Sequence, residues 1–341
     1  MTTFRKYSSI ENTYDKTFVE RIKLEGLAGT PYVVQEKVHG SNTCFVTDGQ
    51  TVRFAKRSGY VEQGEKFYDY EELLERYTPK VISLFQRVKA KYPDLETLSI
   101  YGEMFGGTYP HRDVKNYGKV MTIQKGVFYS PVHEFYAFDL HIGMAESGRY
   151  LPVDELNDFF EAEHFIYAKT LFTGTLDECM QYPNAFQSHI AEWLCLPPIE
   201  DNICEGVVIR PAEPLYLGNG TRILLKNKNS RFAEKKSVKK RQPSLFVEPT
   251  YSEALTALLE IAEDYVTENR LNNVVSKIGE ISIPKDTGKL IGLFGKDTLE
   301  DFLKEHESKY ALLEKSEQKI LNKHINKKAT DLIKKVYMQF N

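Results

Sequence analysis

The sequence predicts an α+β protein in which antiparallel sheets with flanking helices precede an all-helical C-terminal domain. Short runs rich in β-branched and aromatic residues, separated by turn signals, recur between residues 31 and 228. After residue 251 the apolar residues instead follow helical spacing with no strand alternation. The length of 341 residues also exceeds what one hydrophobic core usually organises, so we expect two domains.

The first elements follow from local patterns. Residues 15–26 space apolar side chains at helical intervals and end at a glycine, which predicts a short helix. Three strands are predicted at 31–38, 42–48 and 51–57. The last two are joined by an Asp-Gly turn signal, which is typical of an antiparallel hairpin. Residues 69–91 predict a helix that is interrupted at Pro79, because proline lacks the amide hydrogen of a helix interior.

The later elements complete the N-terminal domain and lead to a linker. A helix is predicted at 153–162, and further strands are predicted at 97–107, 133–142, 205–210 and 221–228. Residues 235–250 combine a charge run with two prolines, which indicates a hinge. We therefore predict domains at 1–243 and 244–341.

Composition limits the class of protein. The net charge is −3, so a nucleic-acid partner requires a local basic patch. The cysteines show no C-x-x-C spacing, which disfavours a structural zinc site and a disulfide framework; they are Cys44, Cys179, Cys195 and Cys204. The N-terminus lacks the apolar run of a signal peptide, and no stretch approaches 18 apolar residues. We expect a soluble cytoplasmic protein, in the host cell if it is viral, with no membrane partner.

The stretch "YVVQEKVHGSNTCFV" at residues 32–46 places Lys37 and His39 at the end of a strand, before Gly40. A single strand lysine is usually a solvated edge residue. Further blocks follow in order, however: "AKRSG" at 55–59, "YGEMFGG" at 101–107, "FYAFDL" at 135–140, "EGVVIR" at 205–210 and "LLKNKNS" at 224–230. Together they resemble the covalent nucleotidyltransferase superfamily, and most closely the bacteriophage-type RNA ligase 2 family, which includes the kinetoplastid RNA-editing ligases.

The resemblance implies an ATP-dependent RNA ligase that uses Mg²⁺ or Mn²⁺ and acts on nicks in duplex RNA. Lys37 would attack the α-phosphate of ATP, the AMP would pass to an RNA 5′-phosphate, and a 3′-hydroxyl would displace it. Free lysine has a pKa of about 10.4, and only the neutral amine is a nucleophile. Nearby positive charge lowers such a pKa, and Lys226 and Lys228 alternate on one predicted strand so that both can face Lys37. The alternative is that these two lysines are basic surface residues of an edge strand.

The resemblance also assigns roles to further residues. Nucleotide contacts are expected from Glu36, His39, Asn42, Arg57, Glu103, Phe138, Lys226 and Lys228. Among them, Glu103 would lie at the ribose and Phe138 would stack on adenine. Glu205 would lie near the divalent metal, since hard cations prefer carboxylate and phosphate oxygens. The histidine at position 39, where most of the superfamily has aspartate, is typical of the RNA ligase 2 relatives and favours RNA over DNA.

Residues 222–241 contain nine Lys and Arg against one Glu, which is a candidate surface for RNA phosphates. The RNA-contact candidates are Arg210, Lys239, Lys240 and Arg241. Arg210 stands where the nearest relatives are expected to carry lysine. A helical stretch further on carries Arg270, Asn272, Asn273 and Lys277, which either meet a duplex backbone or solvate a helix bundle. The C-terminal domain is expected to be needed for nick sealing and not for reaction with ATP.

Two other functions remain open from sequence. An RNA-capping guanylyltransferase shares the superfamily, although such enzymes follow the catalytic domain with an OB-fold instead of helices. A non-catalytic RNA-end-binding protein would keep the fold and lose residues such as Lys37, Glu205 or Lys226, all of which are present. The sequence leaves the oligomeric state open, with a monomer as the expectation.

Overall fold

The computed structural model describes residues 4–118, 120–145, 147–234, 251–283 and 285–337. The chain divides into two compact units, Met1–Arg231 and Phe232–Asn341, which we call the N-terminal unit and the C-terminal unit. The N-terminal unit is built on antiparallel sheets and the C-terminal unit is helical, so the predicted fold class is confirmed. The predicted boundary between residues 243 and 244 lies outside the described residues.

The strands of the N-terminal unit match the predicted ones closely, with β12 shorter than expected. They are β1 Glu11–Asn12, β2 Tyr32–Lys37, β3 Ser41–Thr47, β4 Val52–Lys56, β5 Gly59–Tyr60, β6 Thr97–Phe105, β7 Glu134–Gly143, β8 Gly148–Tyr150, β9 Ile166–Tyr167, β10 Thr170–Gly174, β11 Gly206–Pro211 and β12 Leu225–Lys228. Among the described residues they form two sheets. The smaller sheet has the order β1-β12-β11-β2-β10, and the larger has the order β5-β4-β3-β6-β7-β8, with β9 paired to β7.

The helices of the N-terminal unit cover the outer faces of these sheets. They are α1 Lys16–Leu24, α2 Tyr70–Lys91, α3 Val153–Ala162, α4 Leu176–Met180 and α5 Ile190–Trp193. Helix α1 begins at Asp15, whose carboxylate accepts from the Phe18 amide as an N-cap. Helices α2 and α3 pack on the larger sheet, and α1 and α4 pack on the smaller sheet. The inner faces of the two sheets are therefore left to form the site.

Helix α2 is continuous, and the predicted interruption at Pro79 is wrong. A proline in a helix interior costs about 3 kcal/mol. Pro79 lies on the exposed side, while residues before and after it are buried on one face against the larger sheet, namely Leu73, Tyr77, Val81, Leu84, Phe85 and Val88. Each such burial contributes about 1.5–3 kcal/mol, so packing on both sides of the proline outweighs its cost.

The C-terminal unit contains α6 Glu253–Asp264, α7 Glu268–Ile278, α8 Thr287–Ala311 and α9 Lys315–Tyr337, as predicted from the helical periodicity. Ser252 and Thr267 cap α6 and α7 with their hydroxyls. Helix α9 packs on α6 through Leu321 and Ile325, and its later residues join a second apolar cluster with α7 and α8. Over the described residues, no helix combines the length and apolarity that crossing a bilayer requires.

Candidate active site

The chain passes from the smaller sheet to the larger one at Val38–Gly40, between β2 and β3. Gly40 packs directly against β6, and a Cβ at this position would overlap the carbonyl oxygen of Met104. The glycine is therefore required by the close approach of two backbones, more than by a turn toward a ligand. As a result, Lys37 lies at the junction of the two sheets.

Strand pairing brings a carboxylate between two lysines. In the smaller sheet β11 runs between β2 and β12, and Gly206 is the register partner of both Lys37 and Lys228. Glu205, directly before Gly206, is thus held between their side chains. Because side chains alternate along a strand, Lys226 and Lys228 share the inner face of β12, as expected from the sequence.

Glu205 bonds to both lysines. Its Oε2 is 2.7 Å from Lys37 Nζ, and its Oε1 is 2.8 Å from Lys228 Nζ. Burial alone would raise the pKa of this carboxyl, but the ammonium groups of Lys228 and Lys37 lower it to about 2. We call Glu205, Lys37 and Lys228 the lysine cluster. It is a charged, buried group at the end of the strand that carries Lys37.

A pocket opens beside the lysine cluster, between the inner faces of the sheets. It is lined by Glu36, Lys37, Asn42, Glu103 and Phe138, which brings together five residues predicted from sequence. Phe138 reaches it through a β-bulge: Tyr101 pairs with Asp139, but the next residue of β6 pairs with Ala137. The bulge leaves Phe138 unpaired and turns it and its neighbour inward together. The ring thus forms an apolar wall suited to a planar base.

Glu103 is next to Asn42 in register, because β3 and β6 are paired. Burial is the largest influence on Glu103 and raises its pKa to about 7, against the lowering effects of Lys37 and Arg57. At neutral pH the carboxyl therefore exists in both protonation states, and it can donate or accept a hydrogen bond. Arg57 lies close enough to interact with it electrostatically, so these three predicted residues belong to the same site.

His39 faces the lysine cluster instead of solvent. Its Nδ1 is 3.8 Å from Glu205 Oε2, and its backbone amide donates to the buried Tyr129 hydroxyl at 3.0 Å. Tyr129 lies in the long connection between β6 and β7, so this connection fixes the backbone that follows Lys37. No local pattern of residues singles out Tyr129.

Glu36 lines the pocket and also makes contacts that were not predicted from the sequence. Strand alternation turns its side chain away from Lys37, and it is 1% exposed. The carboxylate accepts from Ser188 Oγ at 2.6 Å, from the His189 amide at 3.0 Å and from His189 Nδ1 at 3.0 Å. The hydrogen bond to Glu36 is the main cause of a raised pKa at His189. Glu36 therefore anchors β2 to the segment before α5, and its expected contact with the nucleotide stays a prediction.

Arg210 is also placed differently from its predicted RNA contact. It is 2% exposed, and its guanidinium donates to the Phe138 carbonyl at 2.9 Å and to Asp139 at 3.1 Å. The same carboxylate accepts from the Arg222 guanidinium at 2.7 Å and from the Tyr7 hydroxyl at 2.8 Å. Burial alone would raise the pKa of Asp139, but the two guanidiniums hold it below its ordinary value. We call Asp139, Arg210 and Arg222 the arginine cluster. Its depth in the protein explains why Arg210 cannot reach RNA.

The N-terminal segment contributes residues that the sequence did not single out. Tyr7 and Ile10 line the pocket, and the ring of Tyr7 meets Phe138 edge to face at 5.1 Å. This segment is held because β1 pairs in parallel with β12, where Asn12 is the register partner of Lys226. Such a pairing between distant segments leaves no local motif by which to find it.

The remaining predicted positions lie elsewhere. Lys239, Lys240 and Arg241 are outside the described residues. In the C-terminal unit Arg270 is 1% exposed and donates to Asp297 at 2.9 Å and to Asp301 at 2.8 Å. It therefore holds the helices together and does not face a duplex. Asn273 bonds to Glu234, and Lys277 pairs with Asp297 at the surface.

The donor set bears on metal binding. In the part of the chain that the structure describes, no three or more His, Cys, Asp and Glu side chains are grouped as a protein-built metal site requires. Glu205 is a fully charged carboxylate at the pocket, which suits a hard cation whose other ligands are phosphate oxygens and water. A cation at this site would therefore have Glu205 as a protein ligand.

Comparisons with protein families match both units. The model of a family described as RNA ligase matches residues 30–228, which span the two sheets and the pocket. A second model, described as T4 RNA ligase 2 C-terminal, matches residues 249–331. The two matches follow one another along the chain in the same order as the two units.

Curated relatives and solved structures are of the same kind. The chain is 31% identical to RNA-editing ligase 1, mitochondrial, of Trypanosoma brucei brucei, over 85% of this chain and 74% of that protein. It is 28% identical to RNA-editing ligase 2, mitochondrial, of the same organism, over 89% and 84% respectively. Variants of a Naegleria gruberi RNA ligase solved with AMP and Mn, or with ATP and Mn, align at TM-scores of 0.44 and 0.41 with 15% and 14% identity. Each alignment covers 68% of this chain and 58% of the solved chain.

Proposed function

The chain belongs to the RNA ligase family, and from this premise we propose that it joins RNA 3′-hydroxyl and 5′-phosphate ends in an ATP-dependent reaction with a covalent lysyl-AMP intermediate. The expected enzyme class, an RNA ligase, is confirmed at the level of the family. The preferred substrate in this proposal is a nick in duplex RNA.

One observation carries the proposal: Lys37 ends a buried strand and lines the pocket, with its amine bonded to Glu205. A buried ion pair is by itself a weak source of stability, because taking both charges out of water is costly. A nucleophile gains an anchored amine beside further positive charge. Lys228 supplies that charge on the other oxygen of the same carboxylate.

The first step forms a bond between Lys37 Nζ and the α-phosphorus of ATP and breaks the bond to the leaving pyrophosphate. Attack requires that Lys37 gives up its proton and its ion pair with Glu205. In the second step an oxygen of the RNA 5′-phosphate attacks the same phosphorus, and Lys37 leaves. In the third step a 3′-hydroxyl attacks the RNA 5′-phosphorus and AMP leaves, so atoms and charge balance over the cycle.

The surrounding residues supply binding and charge stabilisation. Phe138 offers a ring face to the adenine, and Glu103 offers a hydrogen bond to the ribose. Lys226 and Lys228, on the inner face of β12, counter the negative charge that spreads over phosphate oxygens in the transition state. Glu36 takes part indirectly, because it holds β2 in place through Ser188 and His189.

Magnesium or manganese is the expected cofactor. Glu205 would hold the cation together with the nucleotide phosphates, and the bound ion would supply positive charge at the reacting phosphate. A cation held by Glu205 would take the place of its lysine partners, and the amine of Lys37 would then be free to react.

The test is mass spectrometry of the intact protein and its peptides after incubation with ATP and Mg²⁺. The expected result is an added AMP group localised to Lys37, present in the wild type and absent in Lys37→Ala. Lys56→Ala is the matched control, since Lys56 is a nearby strand lysine that pairs with Glu65 and should leave the adduct intact.

The other nucleotides separate the alternatives. An adduct formed with GTP in preference to ATP would favour an RNA-capping-type guanylyltransferase. Absence of any adduct with ATP, GTP or NAD would contradict the catalytic proposal and favour an RNA-end-binding protein. When the adduct forms, sealing of a nicked RNA duplex against a single-stranded RNA tests the preference for nicks.

A further inference from the structure

Helix α9 carries an unusual concentration of positive charge. It contains seven lysines against Glu317 and Asp331, in a chain whose net charge is −3. Helix α6, on which it packs, has four acidic residues and no basic one, and α8 has four lysines against five acidic residues. The positive charge of the C-terminal unit is therefore concentrated on one helix.

The lysines of α9 form a single row. Residues at i, i+4 spacing lie on the same face of a helix, and this series reads Lys315, Lys319, Lys323, Lys327, Asp331 and Lys335. All six of these residues are exposed. We call the first four the lysine row. At about 1.5 Å of rise per residue, the row is about 18 Å long.

The row lies opposite the face that packs. Leu321, Ile325, Ala329 and Ile333 are buried and also follow i, i+4 spacing, offset by two residues from the row. Two residues correspond to about 200° around the helix, so the two faces point in opposite directions. Packing therefore fixes α9 with the lysine row turned to solvent.

The row has no internal use in the described residues. Among these, no carboxylate forms an ion pair with a lysine of the row, whereas Lys328, one step off it, pairs with Glu263 at 2.9 Å. On α8 the exposed lysines lie among acids, as in the pairs of Lys296 with Glu300 and of Lys304 with Asp301. Like charges at i, i+4 each cost about 0.2–0.5 kcal/mol. The three adjacent pairs of the row thus oppose the helix that they belong to.

We propose that the lysine row of α9 is a binding surface for the phosphate backbone of duplex RNA. An exposed row of unpaired amines is complementary to a linear polyanion, and each phosphate contact gains free energy from released counterions. A row of this length can contact several successive phosphates of one strand. The inference rests on the proposed function, since it gives the RNA ligase a surface for duplex binding on the C-terminal unit in addition to the lysine cluster of the N-terminal unit.

The test uses the full-length protein and a blunt, fully paired RNA duplex, with affinity measured at several KCl concentrations. The row variant changes Lys315, Lys319, Lys323 and Lys327 to Gln, and the matched control changes the α8 lysines Lys289, Lys296, Lys304 and Lys309 to Gln. Both lose four exposed charges from one long helix, and glutamine is nearly as good a helix former as lysine. Removing like-charge pairs should also leave the melting temperature of the row variant unchanged or higher.

The expected result is at least about a tenfold loss of affinity in the row variant and a fall of about 3 in the slope of log K against log salt concentration, with little change in the control. Arginine at the same four positions should keep wild-type binding, because the charge is retained. Asp331→Lys, which extends the row, should strengthen binding. Equal slopes for the row variant and the control would overturn the proposal. The proposal would also be overturned if the row variant bound RNA as the wild type does but no longer bound vesicles of anionic lipid.

The same preparations separate this inference from the proposed function. AMP transfer to Lys37 needs no RNA, so both variants should form the adduct at the wild-type rate. Adduct formation with unchanged RNA affinity in the row variant would remove the inference and leave the ligase proposal intact. If the wild type forms no adduct and the row variant loses RNA binding, the ligase proposal fails and the binding surface is supported.

Discussion

The N-terminal unit buries two carboxylates in similar surroundings, but the two carboxylates have different roles. In the lysine cluster, Glu205 is held between two ammonium groups, and in the arginine cluster Asp139 is held between two guanidiniums. Both carboxylates are at most 1% exposed. The two clusters lie within the same unit and use the same pattern of one anion between two cations.

The cations make the difference. The lysine side chains retain 17% and 11% of their exposure and end in single-point donors, whereas the arginine side chains are each 2% exposed. A guanidinium also bonds at several points, so Arg210 holds the Phe138 carbonyl and Asp139 together. In the proposed function the lysine cluster would exchange partners with an arriving nucleotide, while the arginine cluster ties β7 to the smaller sheet. A buried charge therefore indicates a reacting group only where the side chains bonded to it can be exchanged for a ligand.

The largest effect should come from breaking the arginine cluster. Asp139→Asn leaves two buried guanidiniums without a countercharge, so we expect the free energy of unfolding to fall by about 3–5 kcal/mol. Lys37→Met should cost at most about 2 kcal/mol, because Lys228 still neutralises Glu205. Urea denaturation measures both changes.

The control for this comparison is Asp113→Asn, at a side chain that is 67% exposed, and it should leave stability within about 0.5 kcal/mol. If Lys37→Met cost as much as Asp139→Asn, the two clusters would be equally structural and the distinction drawn between them would be lost.

Acid should weaken the lysine cluster by a smaller amount. The pKa of Glu205 is about 2 in the folded protein against 4.5 ordinarily, so its contribution is complete above the ordinary pKa and is lost as the pH falls toward 2. Between about pH 7 and pH 3 we expect this group to account for a loss of about 2 kcal/mol.

In urea denaturation at a series of pH values, the unfolding free energy of Glu205→Gln should therefore fall less steeply as the pH decreases. The difference between the two slopes should correspond to close to one proton taken up on unfolding. Glu62→Gln, at an exposed position, should keep the wild-type slope. An unchanged slope in Glu205→Gln would mean that the lysines do not hold this carboxylate charged.

The smallest effect is expected from an exchange of cation type. Arg210→Lys keeps the charge but loses one of the two hydrogen bonds that join Phe138 and Asp139, and we expect a cost of about 0.5–1.5 kcal/mol. ATP affinity should fall as well, because Phe138 lies on the bulge that Arg210 supports. Denaturation and equilibrium binding of ATP measure the two effects.

Lys228→Arg is the reciprocal change in the lysine cluster. It should leave stability nearly unaltered and slow AMP transfer to Lys37, because a fork replaces a point charge at the phosphates. A loss of stability in Lys228→Arg as large as that in Arg210→Lys would contradict the division between an exchangeable and a fixed cluster.

Much of the fold followed from the sequence because its signals are local. The helix at 153–162 and the helical C-terminal unit were predicted from apolar spacing, and the strands around Lys37 from β-branched runs and a turn signal. Alternation along β12 likewise predicted that Lys226 and Lys228 share a face. The interruption predicted at Pro79 was wrong, because burial on both sides of a proline is not visible in the helix itself.

Much of the candidate site could not be predicted from the sequence. Glu36 was assigned to the nucleotide, but its hydrogen bonds to Ser188 and His189 were not predicted. Arg210 was assigned to RNA, although it lies in the core. Tyr7 carried no signal, because its place in the pocket depends on a parallel pairing between the ends of the N-terminal unit. The position of each of these residues could be predicted only if the identity of its distant contact partner were known.

By itself the sequence determined which chemical groups are available and the local geometry that presents them. It predicted a strand that ends at Lys37, a Glu-Gly pair where β11 begins, and alternating lysines on β12. Only the tertiary structure decided which groups meet. Lys37 and Glu205 are 168 residues apart, and a register shift at one bulge turns both Phe138 and Asp139 inward. The physical reason is that register and burial are settled by packing between distant segments, which no local pattern of residues encodes.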